Sequence, residues 1–251
     1  MYRIICIGLA LLSFVKLYSQ TGNSQGTGWQ ITMGGAVLLN RTTDKSVRNQ
    51  SLRGVTPGAS IAICYTGRIL SQQLGSLFAA GQLKAPNSPD IAVRNCLFYG
   101  YYRLKALIFH PGNWNFEAGS TVDAWSVRSS YKGLMNAGDP AVFFSSLAAS
   151  AGIRYHFPGP ELELSGLLSV PILTYNSQPV ASDNYGASKR ENSWLGTGSL
   201  GRLDAGIYIK KYVRERGAAV LELPMHYYHS KGFRERENLL FGLGVSYNYT
   251  F

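Results

Sequence analysis

Residues Leu239 to Phe251 read L-L-F-G-L-G-V-S-Y-N-Y-T-F. Leu239, Phe241, Leu243, Val245, Tyr247, Tyr249 and Phe251 are apolar, while the intervening Gly242, Gly244, Ser246, Asn248 and Thr250 are small or polar. A period of two is the signature of a β-strand, with one face turned to apolar surroundings and the other to a polar interior.

The same alternation recurs upstream. It predicts strands over 28–39, 56–65, 69–80, 96–109, 114–125, 142–157, 161–173, 199–212 and 218–228, ten with the last one. The third is the least regular, because Gln72 falls on the apolar face between Leu70 and Leu74. Short turns are expected around Gly67, His110-Pro111-Gly112-Asn113, Pro158-Gly159-Pro160 and 213–217. They alternate with long polar segments at 40–55, 81–94, 126–141, 174–198 and between Tyr228 and Leu239. A transmembrane β-barrel has short periplasmic turns and long extracellular loops, and an even strand number places both termini in the periplasm. Lipid offers no hydrogen bonds, so strands that cross it must pair all the way round. The fold class is therefore all-β, an antiparallel transmembrane barrel of ten strands. Eight follow if two segments are misread, and twelve if the longest loop hides a hairpin. Trp29, Tyr65, Trp114, Tyr155 and Tyr247 fall at strand ends, where amphipathic rings prefer the membrane interface.

The start of the chain fits export. Residues 1–19 have a cationic Arg3, an apolar run from Ile4 to Val15, and Ser19 at the expected cut. That run is too short for a membrane-spanning helix, which needs about 20 apolar residues. The organisation expected is a signal peptide over 1–19, a flexible lead-in over 20–27 and the barrel over 28–251. The closing strand resembles that of bacterial outer-membrane β-barrel proteins, and Gln20 after the cut resembles exported proteins of Bacteroidota-type Gram-negative bacteria. The first resemblance implies that Val245, Tyr247, Tyr249 and Phe251 form an insertion signal read by the barrel assembly machinery. Cys64 and Cys96 are expected as free thiols, since they fall near opposite ends of their strands.

Alternation also gives the inward face. It carries Arg103, Lys105, Glu117, Asp123, Arg154, His156, Glu163, Arg202, Asp204, Lys210, Glu222 and His226. A ten-stranded barrel is narrow and filled by side chains, so acids and bases should pair across it and close the lumen. Acids and a histidine resemble the omptin proteases of outer membranes, which use paired Asp and an Asp–His pair; here Asp123 and Asp204 have no acidic neighbour in sequence. His226, His229 and Ser230 resemble the His-x-Ser motif of outer-membrane lipid A deacylases, with Glu235 or Glu237 as orienter. The spacing departs from that family, because His229 and Ser230 are adjacent and point to opposite faces. No clustered ligand set marks a metal site, and no glycine-rich loop marks a phosphate cofactor.

Without residues 1–19 the chain has 22 basic residues against 14 acidic ones. The long loops hold 13 of the bases, Arg41, Arg53, Lys84, Arg94 and Arg128 among them, against seven acids. Such a rim suits acidic lipopolysaccharide headgroups or an acidic partner, and export argues against nucleic acid. The function expected is an outer-membrane barrel with a filled lumen. It would serve as an accessory or scaffold subunit of an envelope complex, or as a surface binding protein. Lipid, lipopolysaccharide and other envelope proteins are the partners. A surface hydrolase and a narrow solute channel are the alternatives.

Overall fold

The computed structural model describes residues 28–44, 50–86, 88–132, 141–159, 161–179, 190–196, 200–214, 216–230 and 236–251. The expected signal peptide and lead-in, and Glu235, lie outside them. The described strands are β1 (Gly28–Asp44), β2 (Gln50–Thr66), β3 (Leu70–Ala85), β4 (Ser88–Phe109), β5 (Trp114–Lys132) and β6 (Ala141–Phe157). They continue with β7 (Leu162–Pro179), β8 (Arg190–Gly196), β9 (Leu200–Arg214), β10 (Gly217–Ser230) and β11 (Arg236–Thr250).

Each strand pairs antiparallel with its neighbours, and β1 against β11 closes the ring. β9 pairs with β7 from Leu162↔Lys211 to Ser169↔Asp204, and β8 takes over from Leu173↔Gly196 to Pro179↔Arg190. β8 and β9 thus share one position in the wall, one above the other, and the barrel is a closed ring of ten. The register slips between Leu147 and Ala148 on β6, opposite Leu173 and Pro171 on β7. Proline has no N–H to give to a ladder, so it belongs at such an irregularity.

The faces follow the period of two. Met33, Val37, Leu39, Ile61, Leu74, Phe78, Val122, Leu168, Ile207, Leu243 and Val245 are exposed on the outside. Their alternates Leu38, Ala62, Leu77, Thr121 and Ser246 are buried inside. Gln72 does lie on the outer face, where its Oε1 accepts the Tyr102 hydroxyl at 3.1 Å. Cys64 faces in and Cys96 faces out, both as free thiols. Tight turns need positive φ, supplied by Gly112 and Gly159. Both chain ends of the barrel lie at this short-turn end, where the Phe251 amide donates to the Trp29 carbonyl. Outward aromatics collect there as cross-strand pairs, with Trp29–Tyr65 centroids 5.2 Å apart and Trp114–Tyr155 4.5 Å.

The opposite end corrects the sequence expectation. The described residues of 40–55 and of 126–141 are all strand, as are those of 81–94 apart from Pro86: β1 and β2 stay paired up to Asp44↔Gln50, and β3 and β4 up to Ala85↔Ser88. Their polar outward residues gave them the look of loops, yet their inward residues Leu52, Leu83, Val93 and Val127 are buried. A 17-residue strand such as β1 exceeds the roughly 10 residues that cross a membrane, so the wall continues past the apolar belt.

A charge in the middle of that belt should be costly. Leu243→Arg is expected to destabilise the barrel by about 2–4 kcal/mol in urea unfolding from lipid vesicles, and Glu237→Arg at the long-loop end by under about 1 kcal/mol. Equal effects would contradict the placement of the belt.

Candidate functional site

The lumen is divided in two along its axis. In the long-loop half, inward residues from seven strands pack into one apolar layer: Leu38, Leu97, Trp125, Val127, Val142, Phe144, Tyr228 and Leu240, with Leu77, Ala79 and Tyr99 beside them. Sequence reasoning that looked inward for charge missed this layer. A signal was present, because unbroken apolar runs such as Val37-Leu38-Leu39, Val142-Phe143-Phe144 and Leu239-Leu240-Phe241 leave no polar face on their strands.

Directly against the layer sits an ion cluster centred on Arg202 of β9. Its Nη1 and Nη2 fork onto Asp123 of β5, at 2.9 Å to Oδ1 and 2.6 Å to Oδ2. Nη2 also reaches Asp204 Oδ2 at 2.7 Å, and Nη1 reaches Ser146 Oγ at 2.6 Å. The Ser146 hydroxyl in turn donates a hydrogen bond to Asp123 Oδ1. His226 of β10 lies 2.8 Å from Asp204 Oδ1 through Nδ1. A carboxylate only accepts, so Nδ1 carries the proton. The ring stands edge-on to Trp125 and Tyr99. All four ionisable residues are at most 8% exposed.

The short-turn half holds a second network. Glu117 accepts Lys105 at 3.4 Å and also Arg154, whose Nε lies 3.6 Å from Glu163. Glu163 also meets His156 Nδ1 and the Tyr212 hydroxyl, each at 3.4 Å. Arg103, Lys210 and Glu222 join no ion pair among the described residues. Arg103 lies over the Tyr101 ring at 4.1 Å, Lys210 over Tyr212 at 4.7 Å, and Glu222 accepts the Ser246 hydroxyl. All twelve inward residues read from the sequence thus stand on the lumen side, nine of them in two ion-paired networks that alternation alone does not pair.

The structure gathers an Asp–His pair and one further aspartate, short of the paired Asp plus Asp–His pair that the omptin resemblance asks for. Both carboxylates are held by one guanidinium beneath the apolar layer, which leaves neither open to take a proton from water. His229 is on the other face of β10, in register with Glu237. Ser230 is four positions from His226, roughly 13 Å along an extended strand. His226 and His229 thus point to opposite faces of β10, while Glu235 and the Ser230 side chain lie outside the described residues. No three His, Cys, Asp or Glu residues converge on a metal position among the described residues.

An apolar exterior, a polar and charged interior and a closed antiparallel ring define the outer-membrane β-barrel class. Comparison with solved structures bears this out. The outer-membrane protease OmpT of Escherichia coli aligns with a TM-score of 0.57 over 93% of this chain and 99% of its own, at 12% identity. The translocator domain of the autotransporter NalP from Neisseria meningitidis gives 0.49 over 99% and 96%, at 10% identity. Neisserial surface protein A gives 0.38 over 88% and 97%, at 11% identity. No family model and no curated protein sequence matches the chain. The chain has the fold of outer-membrane β-barrel proteins; at these identities the likeness extends to fold and not to activity.

Removing Arg202 should strand two buried carboxylates. Arg202→Met is expected to cost about 3–5 kcal/mol of stability in vesicles, and the triple change with Asp123→Leu and Asp204→Leu to recover most of it. A triple variant no better than the single one would show that the cluster is not held by this charge pairing.

Proposed function

We propose that the protein is an integral barrel of a bacterial outer membrane whose lumen is closed by its own side chains. It acts through its surfaces, as a scaffold or accessory subunit of an envelope complex or as a surface binding protein. The observation that carries this reading is the stacked closure of the lumen, the apolar layer of Leu38, Trp125, Phe144 and Leu240 lying against the Arg202 cluster. A conducting pore needs a continuous wet path, and both layers occupy it. Hydrolysis needs an accessible base, and the Asp204–His226 pair is buried and occupied by Arg202.

In this reading the short turns and both termini face the periplasm, and the long-loop end faces outward. The closing strand, through Val245, Tyr247, Tyr249 and Phe251, is handed over by the barrel assembly machinery. Lipopolysaccharide and other envelope proteins are the partners on the surface.

Planar-bilayer recording of the refolded barrel tests the closure. The purified protein should insert without conductance steps, while gentle extraction from its native membrane should bring down envelope proteins in stoichiometric amount. Stable ohmic steps from the wild-type barrel would overturn the closed-lumen reading.

A further inference from the structure

Five of the thirteen basic residues that composition assigned to loops, those with described side chains, are on the wall. Arg41 of β1, Arg53 of β2, Lys84 of β3, Arg94 of β4 and Arg128 of β5 lie in strands, and all five are exposed on the outward face. Arg41 is directly opposite Arg53, and Arg53 directly opposite Lys84. Arg94 is opposite Gln82, one inward–outward repeat from Lys84, and Arg128 is opposite Cys96, one repeat from Arg94. Directly opposed side chains on neighbouring strands are about 5 Å apart and diagonal ones about 7–8 Å. The five cations therefore form one unbroken row. Across strands spaced about 4.8 Å apart it spans roughly 19 Å of the circumference.

Arg41, Arg53 and Lys84 are directly opposed like charges, which repel, so these three call for anions from outside the chain. Among the described side chains, the outward acid nearest the row is Glu237 of β11, diagonal to Arg41 through the Arg41↔Leu239 pair. Towards the short-turn end the same faces become apolar, with exposed Leu39 and Val55 two residues from the row, Phe98 four, and Phe78 and Val122 six. The row thus lies on the headgroup side of the apolar belt. Among the described side chains it is also one-sided. At the same end, β6 to β11 present Phe143, Tyr175, Trp194, Leu203, Tyr227 and Leu239 outward in place of cations.

We propose that Arg41, Arg53, Lys84, Arg94 and Arg128 form a one-sided seat for the phosphate groups of a phosphorylated glycolipid of the lipopolysaccharide type. Its acyl chains would lie along the apolar faces of β1 to β5. Arginine forks match phosphate oxygens two at a time, and a multi-phosphate headgroup with several acyl chains meets both the row and the belt below it. The proposal rests on the outer-membrane reading above, and names a partner and the face that takes it.

The test uses the full barrel in nanodiscs of phosphatidylethanolamine, with lipid A, dephosphorylated lipid A or phosphatidylglycerol added in turn, and counts retained lipids by native mass spectrometry. Wild type should keep lipid A in preference to the other two. Arg41→Gln/Arg53→Gln/Lys84→Gln should lower that retention at least tenfold. Arg68→Gln/Arg216→Gln, at the short-turn end, should leave it unchanged. A slower-migrating band on boiling certifies that each variant is folded. Equal retention by the triple variant, or equal retention of phosphatidylglycerol by wild type, would overturn the proposal. A wild-type barrel that fails to enter nanodiscs would instead count against the membrane reading itself.

Discussion

Every part of this structure depends on backbone amides having nowhere to bond except to one another. An unpaired N–H or C=O in hydrocarbon costs several kcal/mol, so a sheet that faces lipid cannot keep an edge. β1 against β11 removes the edge, running from Gln30↔Thr250 to Asp44↔Arg236 without a slip. Once the ring is closed, the period of two has a single solution. Odd positions of β1 and β11, such as Val37 and Leu243, face out, and even ones, such as Leu38 and Leu240, face in. A slip of one residue would turn both sets round together.

Closure creates an enclosed interior, and its two halves are filled by different physics. Towards the long-loop end, Leu, Val and aromatic side chains fill the lumen, with the Trp125 indole N–H left without a hydrogen-bond partner among the described residues. Next to them, taking Asp123, Asp204 and Arg202 out of water is expensive, and pays only if every lone pair finds a donor. The fork of Arg202 on Asp123, its second bond to Asp204, and the supporting Ser146 and His226 achieve that. The aromatic walls of Trp125 and Tyr99 keep the cluster dry and in place, with the guanidinium 5.3 Å over the Trp125 ring. A cluster so completely satisfied acts as a rivet between β5, β6, β9 and β10.

The strand pattern was legible because one physical rule, apolar out and small or polar in, applies to every crossing. Turns such as Gly112 and Gly159 were legible because their backbone needs the residue found there. Three things were not. The wall continues to Asp44, Ala85 and Lys132 because inward Leu52, Leu83 and Val127 stay buried while outward residues turn polar. That combination reads as loop in a one-dimensional pattern. The apolar layer was hidden because Leu38 or Leu240, inside a run apolar on both faces, carries no alternation to read. The pairing of Asp123 with Arg202 joins residues 79 positions apart on strands that are not neighbours in the wall, and only closure brings them within a bond. The basic row was hidden for the same reason: its members come from five strands and become neighbours through register alone.

The most direct check on the account is a cysteine cross-link across the closing seam. Ala36 is paired with Gly244, and a Cβ built on Gly244 lies 3.4 Å from that of Ala36, near the separation a disulfide needs. In a Cys64→Ser/Cys96→Ser background inserted in lipid vesicles, Ala36→Cys/Gly244→Cys should link efficiently on mild oxidation. The offset pair Ala36→Cys/Ser246→Cys should not. Linking of the offset pair, or no linking of the matched pair in protein that is folded by gel shift, would contradict the closed register on which the lumen, the belt and the basic row all rest.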